Sequence, residues 1–562
     1  MQRLILLLWT LSGMFNFPVL AQSSYVPLGS LSYPLLDRFE IKSGRLADPM
    51  EFNTSTRSYR RNAIARYVDS FSMQTPLSKQ DYFNLSYLQN DNFEWSRSEN
   101  TRSSKPFLKT FYRHKAAGIS QISKDFNLIV NPVVYMQAGY DSRLKKSVFL
   151  NNRGIEVRGS ISRTFGFYTQ VSDEILKPNS WVGDFFGENN TIPGMGYWQY
   201  TAPASNTFNY WQASGYITVQ PSKYLDLQFG HGRNFLGNGY RTFYQSDFSR
   251  DHLYLRANTH FWKINYTNIW GTLYDYVPPT FNRDSVPPRH YYATTHLSIN
   301  LLPNFNLGIF QTISYSRRIG SRALGMDAQY FNPIIFYKPI ENGMNSPDKT
   351  ILGMDLKYNF ARQFSLYGQA VISEFVLEEV LAGNGWWGNK QAYQLGLKYI
   401  DVLHINNLDL QVEGNLCRPY MYTSFNPLNA YVNNNQNVAH PLGANFAEAI
   451  VLIRYQPVNR CMFKLTGIFS RYGNDTASSN WGRDIRKSYY PVPREYGNTI
   501  AQGVTTHSTY LDLTMAYMLK HNLFFDVQLA YRKTEGNPWF STETFLITTA
   551  LRWNISERRW DF

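Results

Sequence analysis

The feature that most constrains this chain is a two-residue alternation of apolar and polar side chains close to its C-terminal end. Across residues 545–555, odd positions are apolar and even positions are small or polar, with one exception on each face. Successive side chains of a β-strand point to opposite faces, so this segment predicts a strand between lipid and a polar lumen. Trp560 and Phe562 follow, and a terminal aromatic is typical of the last strand of an outer-membrane barrel.

The same alternation recurs from about residue 126 onward, most clearly at 352–358, 393–399, 408–416, 511–517 and 525–532. Closed barrels are the only non-helical structures that cross lipid, because closure leaves no backbone edge unpaired. The sequence therefore predicts an all-β fold, a large antiparallel transmembrane β-barrel of about 18 strands, with short periplasmic turns and long outer loops. Strands are expected to start near residues 126, 153, 165, 209, 223, 252, 262, 289, 304, 351, 365, 390, 407, 446, 460, 508, 522 and 543.

The alternation changes phase before the final aromatic residues. Trp560 and Phe562 have even numbers, whereas the apolar face of the preceding strand has odd ones. A β-bulge near Ser556 and Glu557 would return Phe562 to the lipid face. Alternatively, the strand ends near Ile555 and the remaining residues form a periplasmic tail. The bulge is the favoured hypothesis, because it better suits a terminal aromatic that the barrel-assembly machinery reads.

The N-terminal part of the chain has a different pattern. Residues 1–21 predict a signal peptide, with Arg3, an apolar run at 4–11 and a small-residue cleavage site that ends at Ala21. A transmembrane helix is the alternative, but the apolar run is too short for a span. Residues 22–115 predict a helical periplasmic module, because three segments carry apolar residues at helical spacing, one of them after Thr75 and Pro76. The barrel is expected to comprise residues 116–562.

Composition agrees with an exported barrel. Aromatic residues make up 16% of the chain, which suits aromatic girdles at the two membrane interfaces, although a soluble aromatic-rich sandwich is the alternative. The net charge of +14 favours contact with lipopolysaccharide or with an acidic polysaccharide, and export excludes nucleic acid as a partner. Cys417 and Cys461 are too few for a disulfide scaffold; two separate thiols are the simpler expectation, and a bond between them remains an alternative.

Candidate catalytic motifs are weak. Residues 230–239 are rich in glycine, but neither a Lys-Ser/Thr pair nor a helix pattern follows, so a tightly folded loop is expected rather than a phosphate site. The histidines lack metal-ligand spacing. His507 and Ser508 are adjacent and would point to opposite faces of a strand. The sequence thus predicts a protein that is not an enzyme and that uses no cofactor and no metal.

Arginine and tyrosine residues offer a candidate polysaccharide-binding site. Guanidinium groups match the carboxylates of acidic sugars, and aromatic faces can stack on sugar rings. The candidates are Arg233, Arg241, Arg418, Tyr420 and Tyr422. The alternative is that these residues form ion pairs in the lumen and girdles at the interfaces.

Several strings in order along the chain resemble one known family. They are YVPL at 25–28, NRGIEVRG at 152–159, FGFYT at 165–169, GRNFLGNGYR at 232–241, YFNP at 330–333, RPYMY at 418–422 and HPLGANF at 440–446. Together they resemble the Wzi capsule-assembly family, and especially its Bacteroidota branch, which includes the gliding-motility protein RemB. The resemblance covers nearly the whole mature chain.

This resemblance implies an outer-membrane barrel with a periplasmic helical bundle and a non-enzymatic role. The expected function is binding or organising surface polysaccharide, in capsule attachment or in gliding and adhesion. Three alternatives remain open: a porin for small anionic solutes, a subunit of an outer-membrane secretion or assembly complex with protein partners, and, more remotely, a hydrolase.

Overall fold

In a computed structural model, eighteen antiparallel strands form a closed barrel. The structure describes residues 23–71, 77–108, 110–162, 164–196, 199–202, 206–275, 288–319, 322–335, 348–374, 376–476, 478–536 and 540–562. Each strand pairs with its chain neighbours, and the last strand pairs with the first from Val134↔Trp553 to Asp141↔Leu546. The predicted fold class and strand number are confirmed.

The barrel strands are β1 Phe126–Asp141, β2 Lys146–Ile161, β3 Phe165–Lys177, β4 Thr207–Ser222, β5 Leu225–Gly232, β6 His252–Phe261, β7 Ile264–Tyr274, β8 Arg289–Leu302, β9 Phe305–Tyr315, β10 Lys349–Phe360, β11 Phe364–Glu374, β12 Lys390–Tyr399, β13 Leu408–Cys417, β14 Phe446–Val458, β15 Cys461–Asn474, β16 Val504–Lys520, β17 Leu523–Gly536 and β18 Phe540–Trp553. Shorter strands are Ile119–Ile122, Gln199–Ala202, Arg318–Ile319, Arg322–Ala323, Val432–Asn433 and Gln436–Asn437. All but three barrel strands start within two residues of the prediction. The largest difference is at β2, which begins at Lys146 and not near residue 153, because a short hairpin turn at 142–145 joins it directly to β1.

The side-chain alternation separates a lipid face from a lumen face. On β18, Thr544, Leu546 and Thr548 are buried, whereas Phe545 and Ile547 are exposed to the outside. Outward aromatic residues lie near both ends of the wall, as expected for interface girdles: Phe165, Phe261, Tyr358, Tyr517 and Phe525 near the short turns, and Tyr140, Trp211, Tyr393, Phe469 and Phe545 near the long loops.

Three N-terminal helices close the short-turn end of the barrel: α1 Ser32–Ser43, α2 Arg61–Phe71 and α3 Lys79–Asp91. Their apolar residues form one buried cluster with Met518 and Phe524 of the barrel wall. Arg38 in α1 fixes the helices to the turn between β12 and β13, because it forms ion pairs with Asp401 and Asp409. The helices therefore pack against the barrel.

Ser78 begins α3 through a capping box with Asp81. The predicted helix start at Thr75 and Pro76 lies outside the described residues, as does the predicted signal peptide. The domain limits and the periplasmic position of the helices stay predictions. Two further helices, α4 Ser180–Asn189 and α5 Leu377–Ala382, and the 3-10 helices Ala328–Phe331 and Pro427–Asn429 belong to long loops, while Glu99–Thr101 and Val402–His404 lie at the other end. Among the described helices, none is long and apolar enough to cross a membrane.

The chain leaves the barrel wall after Trp553. Residues 554–562, here called the lumen segment, turn into the barrel, and Ile119–Ile122 pairs with residues 127–130 of β1 where a longer β18 would lie. The predicted bulge is therefore wrong. The alternative strand end near Ile555 is confirmed, but the following residues lie in the lumen and not in the periplasm. Their charged side chains find ion-pair partners there, which lipid cannot supply.

The two cysteines are free and buried. Cys417 ends β13 beside the long loops, and Cys461 begins β15 beside the short turns. Their positions at opposite ends of the wall exclude a bond between them.

Candidate functional site

The loop between β5 and β6 folds into the lumen. In this inward loop (residues 233–251), Phe243 and Tyr244 are fully buried. The Tyr244 ring stacks on Phe310 of the wall, with 4.0 Å between ring centroids. The Gln369 side chain accepts a hydrogen bond of 2.9 Å from the backbone N–H of Phe243. These contacts attach the loop to the inner face of the barrel.

The glycine-rich part of this loop permits the tight path that the sequence predicts. Gly237 has a φ of +134°, and a Cβ at this position would lie 2.7 Å from Nε2 of Gln369 and 2.9 Å from Oγ1 of Thr242. An L-residue rarely adopts this φ. A side chain here would therefore be strained by its conformation, and the Gln369 and Thr242 side chains would have to shift to admit it.

The inward loop also contacts the N-terminal part of the chain. The N–H of Arg57 donates to the carbonyl of Phe235 at 3.0 Å, and the N–H of Gly237 donates to the carbonyl of Ser55 at 2.7 Å. A segment that arrives from the short-turn end therefore meets a loop that arrives from the other end. The middle of the lumen is filled by backbone and side chains from both.

The lumen segment forms four ion pairs, two with the wall and two with the inward loop. They join Glu557 to Lys464, Arg558 to Glu174, Arg559 to Asp247 and Asp561 to Arg241. In addition, Nε1–H of Trp181 donates to the carbonyl of Trp560 at 3.0 Å. Burial alone would raise the pKa of Asp561, but Arg241 and Arg559 outweigh burial and lower this pKa to about 2.

Two cavities in the described part of the lumen border the lumen segment. Cavity A has a volume of about 330 Å³ and is lined by Arg233, Arg241 and the N-terminal residues 25–31, among others. Cavity B has a volume of about 280 Å³ and lies near the short turns, between the helices and the wall. Both are close to the lower limit of small-molecule sites.

The structure places Arg233 and Arg241 together on cavity A, where protein groups occupy their guanidinium groups. Arg233 donates to the Asp251 carboxylate at 2.8 Å and to two backbone carbonyls. Arg241 pairs with Asp561 and lies 3.9 Å from Glu448. Both arginines hold the inward loop in place.

Arg418, Tyr420 and Tyr422 lie in the loop between β13 and β14, apart from the first pair. Tyr420 and Tyr422 are at most 1% exposed, so neither ring offers a free face. The Tyr422 hydroxyl donates to the carbonyl of Phe243 in the inward loop at 2.8 Å. Burial raises the pKa of Tyr420 and lowers the pKa of Arg418. The sugar-binding role of the five candidate residues stays a prediction.

Sequence reasoning missed an aromatic group on the long-loop face. This outer aromatic cluster consists of Trp386, Trp387, Phe425 and Tyr489, from three different loops. Ring centroids are 5.9 Å apart for Trp386 and Trp387, 4.9 Å for Trp387 and Tyr489, and 6.2 Å for Phe425 and Tyr489. Phe425 is 66% exposed. The sequence signal was a Trp-Trp pair between two glycines and a Tyr-Tyr pair before a proline, each within a long loop.

Two of the predicted residues support this cluster from beneath. Arg418 donates to the carbonyl of Asn389 at 2.7 Å and to that of Trp386 at 3.2 Å. The Tyr420 ring meets Trp387 edge-on at 6.1 Å. The backbone N–H of Trp387 also donates to the backbone carbonyl of Glu495 at 2.9 Å, and this hydrogen bond joins two of the loops. The cluster is therefore held in a fixed arrangement.

A buried cation contacts the outer aromatic cluster. The Lys390 ammonium lies 4.1 Å from the centroid of Tyr489 and 4.9 Å from that of Trp387. Exposed Lys487 and Arg494 lie in the same loop as Tyr489. Burial raises the pKa of Tyr489, and Glu374 adds to this effect. The cluster thus combines flat apolar rings with a buried ammonium group, which also pairs with Glu374 at 2.7 Å.

Other chemistry is not evident in the described residues. His507 faces outward and Ser508 faces the lumen, so these neighbours point apart as predicted. No group of His, Cys, Asp and Glu within the described ranges could hold a metal ion.

Comparison with known proteins supports the fold. No protein-family model and no curated protein matches the chain. Among solved structures, it is similar to Wzi of Escherichia coli, described as an outer-membrane protein involved in group 1 capsule assembly and as a carbohydrate-binding β-barrel. This match has a TM-score of 0.58 and 11% identity and covers 95% of this chain and 100% of that one.

A weaker match is to OprD of Pseudomonas aeruginosa, with a TM-score of 0.40 and 9% identity; it covers 75% of this chain and 94% of that one. Another is to OccAB2 of Acinetobacter baumannii, with a TM-score of 0.39 and 10% identity; it covers 75% of this chain and 98% of that one. The likeness to Wzi confirms a Wzi-like fold. The closed wall and its apolar exterior confirm the predicted location in the outer membrane.

Proposed function

We propose that this chain binds polysaccharide at its long-loop face and holds it at the cell surface. The observation that carries this proposal is the outer aromatic cluster. Its rings come from three loops, are fixed by backbone hydrogen bonds and include an exposed Phe425. The description of Wzi as a carbohydrate-binding barrel supports the same function.

The chemistry of the cluster suits sugar rings. Aromatic faces carry partial negative charge, which attracts the C–H groups on the apolar face of a pyranose. Rigid rings lose little conformational entropy on binding. Lys487 and Arg494 are exposed in the loop that contains Tyr489 and can meet carboxylates or hydroxyls of the same polymer.

The porin alternative is less well supported. The N-terminal helices, the inward loop and the lumen segment together occupy the lumen. We therefore propose a closed barrel that serves as a scaffold for its outer loops. In this proposal the protein is not an enzyme, and its role is capsule attachment or, as in the RemB-like branch, gliding and adhesion.

A glycan array tests the binding activity directly. The purified full-length protein is applied to capsule and lipopolysaccharide fractions of the source organism, beside Trp386→Ala and Phe425→Ala variants. We expect binding by the wild type and at least tenfold weaker binding by the variants, because each loses a stacking face. Phe107→Ala is the matched control, since Phe107 is 64% exposed but precedes the barrel at the opposite end.

Equal binding by all variants would contradict the proposed surface. Absence of wild-type binding to every surface polysaccharide would contradict the proposed function. In cells, deletion of the gene should reduce polysaccharide retention or colony spreading, and normal capsule and motility in the deletion strain would also argue against it.

A further inference from the structure

Cavity B has more positive than negative charge on its walls. Three carboxylates border it, from Asp37, Asp409 and Glu557. Seven cationic side chains also border the cavity, namely Arg38, Arg57, Lys398, Arg454, Lys464, Arg552 and Arg559. Carboxylates outside the lining also pair with some of these cations, so the cations without such a partner determine whether the cavity attracts an anion, and a low local dielectric strengthens that attraction.

Five of the seven cations are neutralised by neighbouring carboxylates. The ion pairs are Arg38 with Asp409, Lys398 with Asp37, Lys464 with Glu557, Arg552 with Asp526 and Arg559 with Asp247. The remaining two cations, Arg57 and Arg454, are not neutralised in this way. Within the part of the chain that the structure describes, neither has a carboxylate oxygen within 4.0 Å.

Neutral acceptors take only part of the hydrogen-bonding capacity of these two arginines. Arg57 donates to the carbonyl of Gly239 at 2.8 Å, and Arg454 donates to Oε1 of Gln411 at 3.4 Å. A guanidinium carries five N–H donors. Several donors on each side chain are therefore free for a ligand.

The strand register explains why Arg454 has no anionic partner. In the ladder it lies opposite Asp409 on one side and Lys464 on the other. Asp409 is bound by Arg38 of the first helix, and Lys464 is bound by Glu557 of the lumen segment. Arg454 therefore lies between two ion pairs, one completed by the first helix and one by the lumen segment. Neither of these two elements supplies a carboxylate to Arg454.

A second, neutral donor borders the same cavity without an acceptor. Asn238 is only 5% exposed, and its amide Nδ2 has no hydrogen-bond partner within the described ranges. The Oγ atom of Ser30, also on this cavity, is buried and unpartnered as well. A buried donor that lacks an acceptor costs about 1–3 kcal/mol, so an anion that accepts from Asn238 would remove this cost.

We propose that cavity B is a binding site for a small anion that carries a carboxylate or a phosphate, held by Arg57, Arg454 and Asn238. The oxygens of either group can accept from a guanidinium in a bidentate manner. Leu31, Tyr33 and Tyr59 also line the cavity and provide apolar contact for the rest of the ligand. A uronic acid and a sugar phosphate both have this chemistry.

This site is separate from the outer aromatic cluster. It borders Asn407 and Gln456 at the short-turn end, whereas the cluster lies on the long loops. Binding of a small anion and binding of a surface polymer can therefore succeed or fail independently.

Isothermal titration calorimetry of the full-length protein in detergent tests the site. The probes are sodium glucuronate, inorganic phosphate and, as a neutral reference, glucose, in a buffer with little chloride. We expect glucuronate or phosphate to bind the wild type and glucose not to bind. Stronger binding of glucuronate assigns the site to a uronic acid, and stronger binding of phosphate assigns it to a phosphorylated ligand.

Arg57→Gln and Arg454→Gln should each weaken anion binding at least tenfold. Lys79→Gln is the matched control, because Lys79 is an exposed cation at the same end of the barrel and does not border the cavity. Asn238→Asp provides an independent test that retains both arginines. Its new carboxylate would occupy the site and abolish binding, while the heat-dependent gel mobility of the folded barrel stays normal.

No anion binding by the folded wild type would overturn the proposal. Equal affinities of the wild type and Asn238→Asp for both anions would overturn it as well.

Discussion

Nη1 of Arg241 in the inward loop lies 3.4 Å from the Asp561 carboxylate in the lumen segment, a contact that joins residues 320 positions apart. The Tyr240 hydroxyl donates to the same carboxylate. Asp561 therefore links the last residues of the sequence to the loop that fills the middle of the barrel. The lumen segment therefore holds the inward loop in place.

Removal of Arg241 should destabilise the barrel. Arg241→Met leaves Asp561 buried without its main partner, and loss of one member of a buried pair costs about 3–5 kcal/mol. The free energy of unfolding, measured by denaturant titration in lipid vesicles, should fall by this amount. Arg143→Met is the control, because Arg143 pairs with Asp184 at an exposed site, where the cost is below about 1 kcal/mol. Equal effects of the two substitutions would contradict the proposed role of Asp561.

The same pair predicts a pH dependence. The pKa of Asp561 falls from its ordinary 3.8 to about 2 in the folded chain, so ionised Asp561 contributes stability above pH 4 and this contribution is lost as pH decreases toward 2. The pKa difference corresponds to on the order of 2 kcal/mol. Unfolding free energies at pH 5 and pH 2.5 should therefore differ less in Asp561→Asn than in the wild type. Parallel pH profiles of the two proteins would show that another carboxyl group is responsible.

The strand pattern was enough to predict the barrel wall. On β18, Phe545 and Ile547 face lipid while Thr544 and Thr548 face the lumen, and this two-residue period is encoded locally in each strand. Neighbouring strands are also neighbours in sequence, so the order of the strands follows from short connections. Fold class and strand starts could thus be inferred without long-range information.

The contents of the lumen could not be predicted in the same way. The inward loop and the lumen segment have no period, and their polar residues suit water as well as a polar lumen. Arg559 and Asp247 form an ion pair across 312 residues, and no local pattern indicates such a contact. The candidate site shows the same limit: Arg418 and Tyr420 were selected by residue type, whereas the aromatic rings beside them are assembled from three separate loops.

The filled lumen predicts a non-conducting barrel. Wild-type protein in planar bilayers should show no stable open-channel current, because helices, loop and lumen segment occupy the interior. Replacing residues 234–249 by a short Gly-Ser linker and also removing the helices α1 to α3, which close the short-turn end, should produce discrete conductance steps. Shortening 486–494 is the control, since that outer loop does not fill the lumen. Steady currents through the wild type would instead favour the porin alternative.

Gly237 should be intolerant of any side chain. Gly237→Ala combines an unfavourable φ of +134° with a Cβ only 2.7 Å from Nε2 of Gln369, and we expect a loss of about 2–3 kcal/mol in unfolding free energy. Gly497→Ala separates the two causes, because Gly497 also has a positive φ of +72° but no atom within 4 Å of the added Cβ. Strain alone should cost that variant about 1 kcal/mol. Equal losses in denaturant titrations of both variants would show that the inward loop moves aside to accept the methyl group, and a larger loss at Gly237 would show that the loop is held rigidly against the wall.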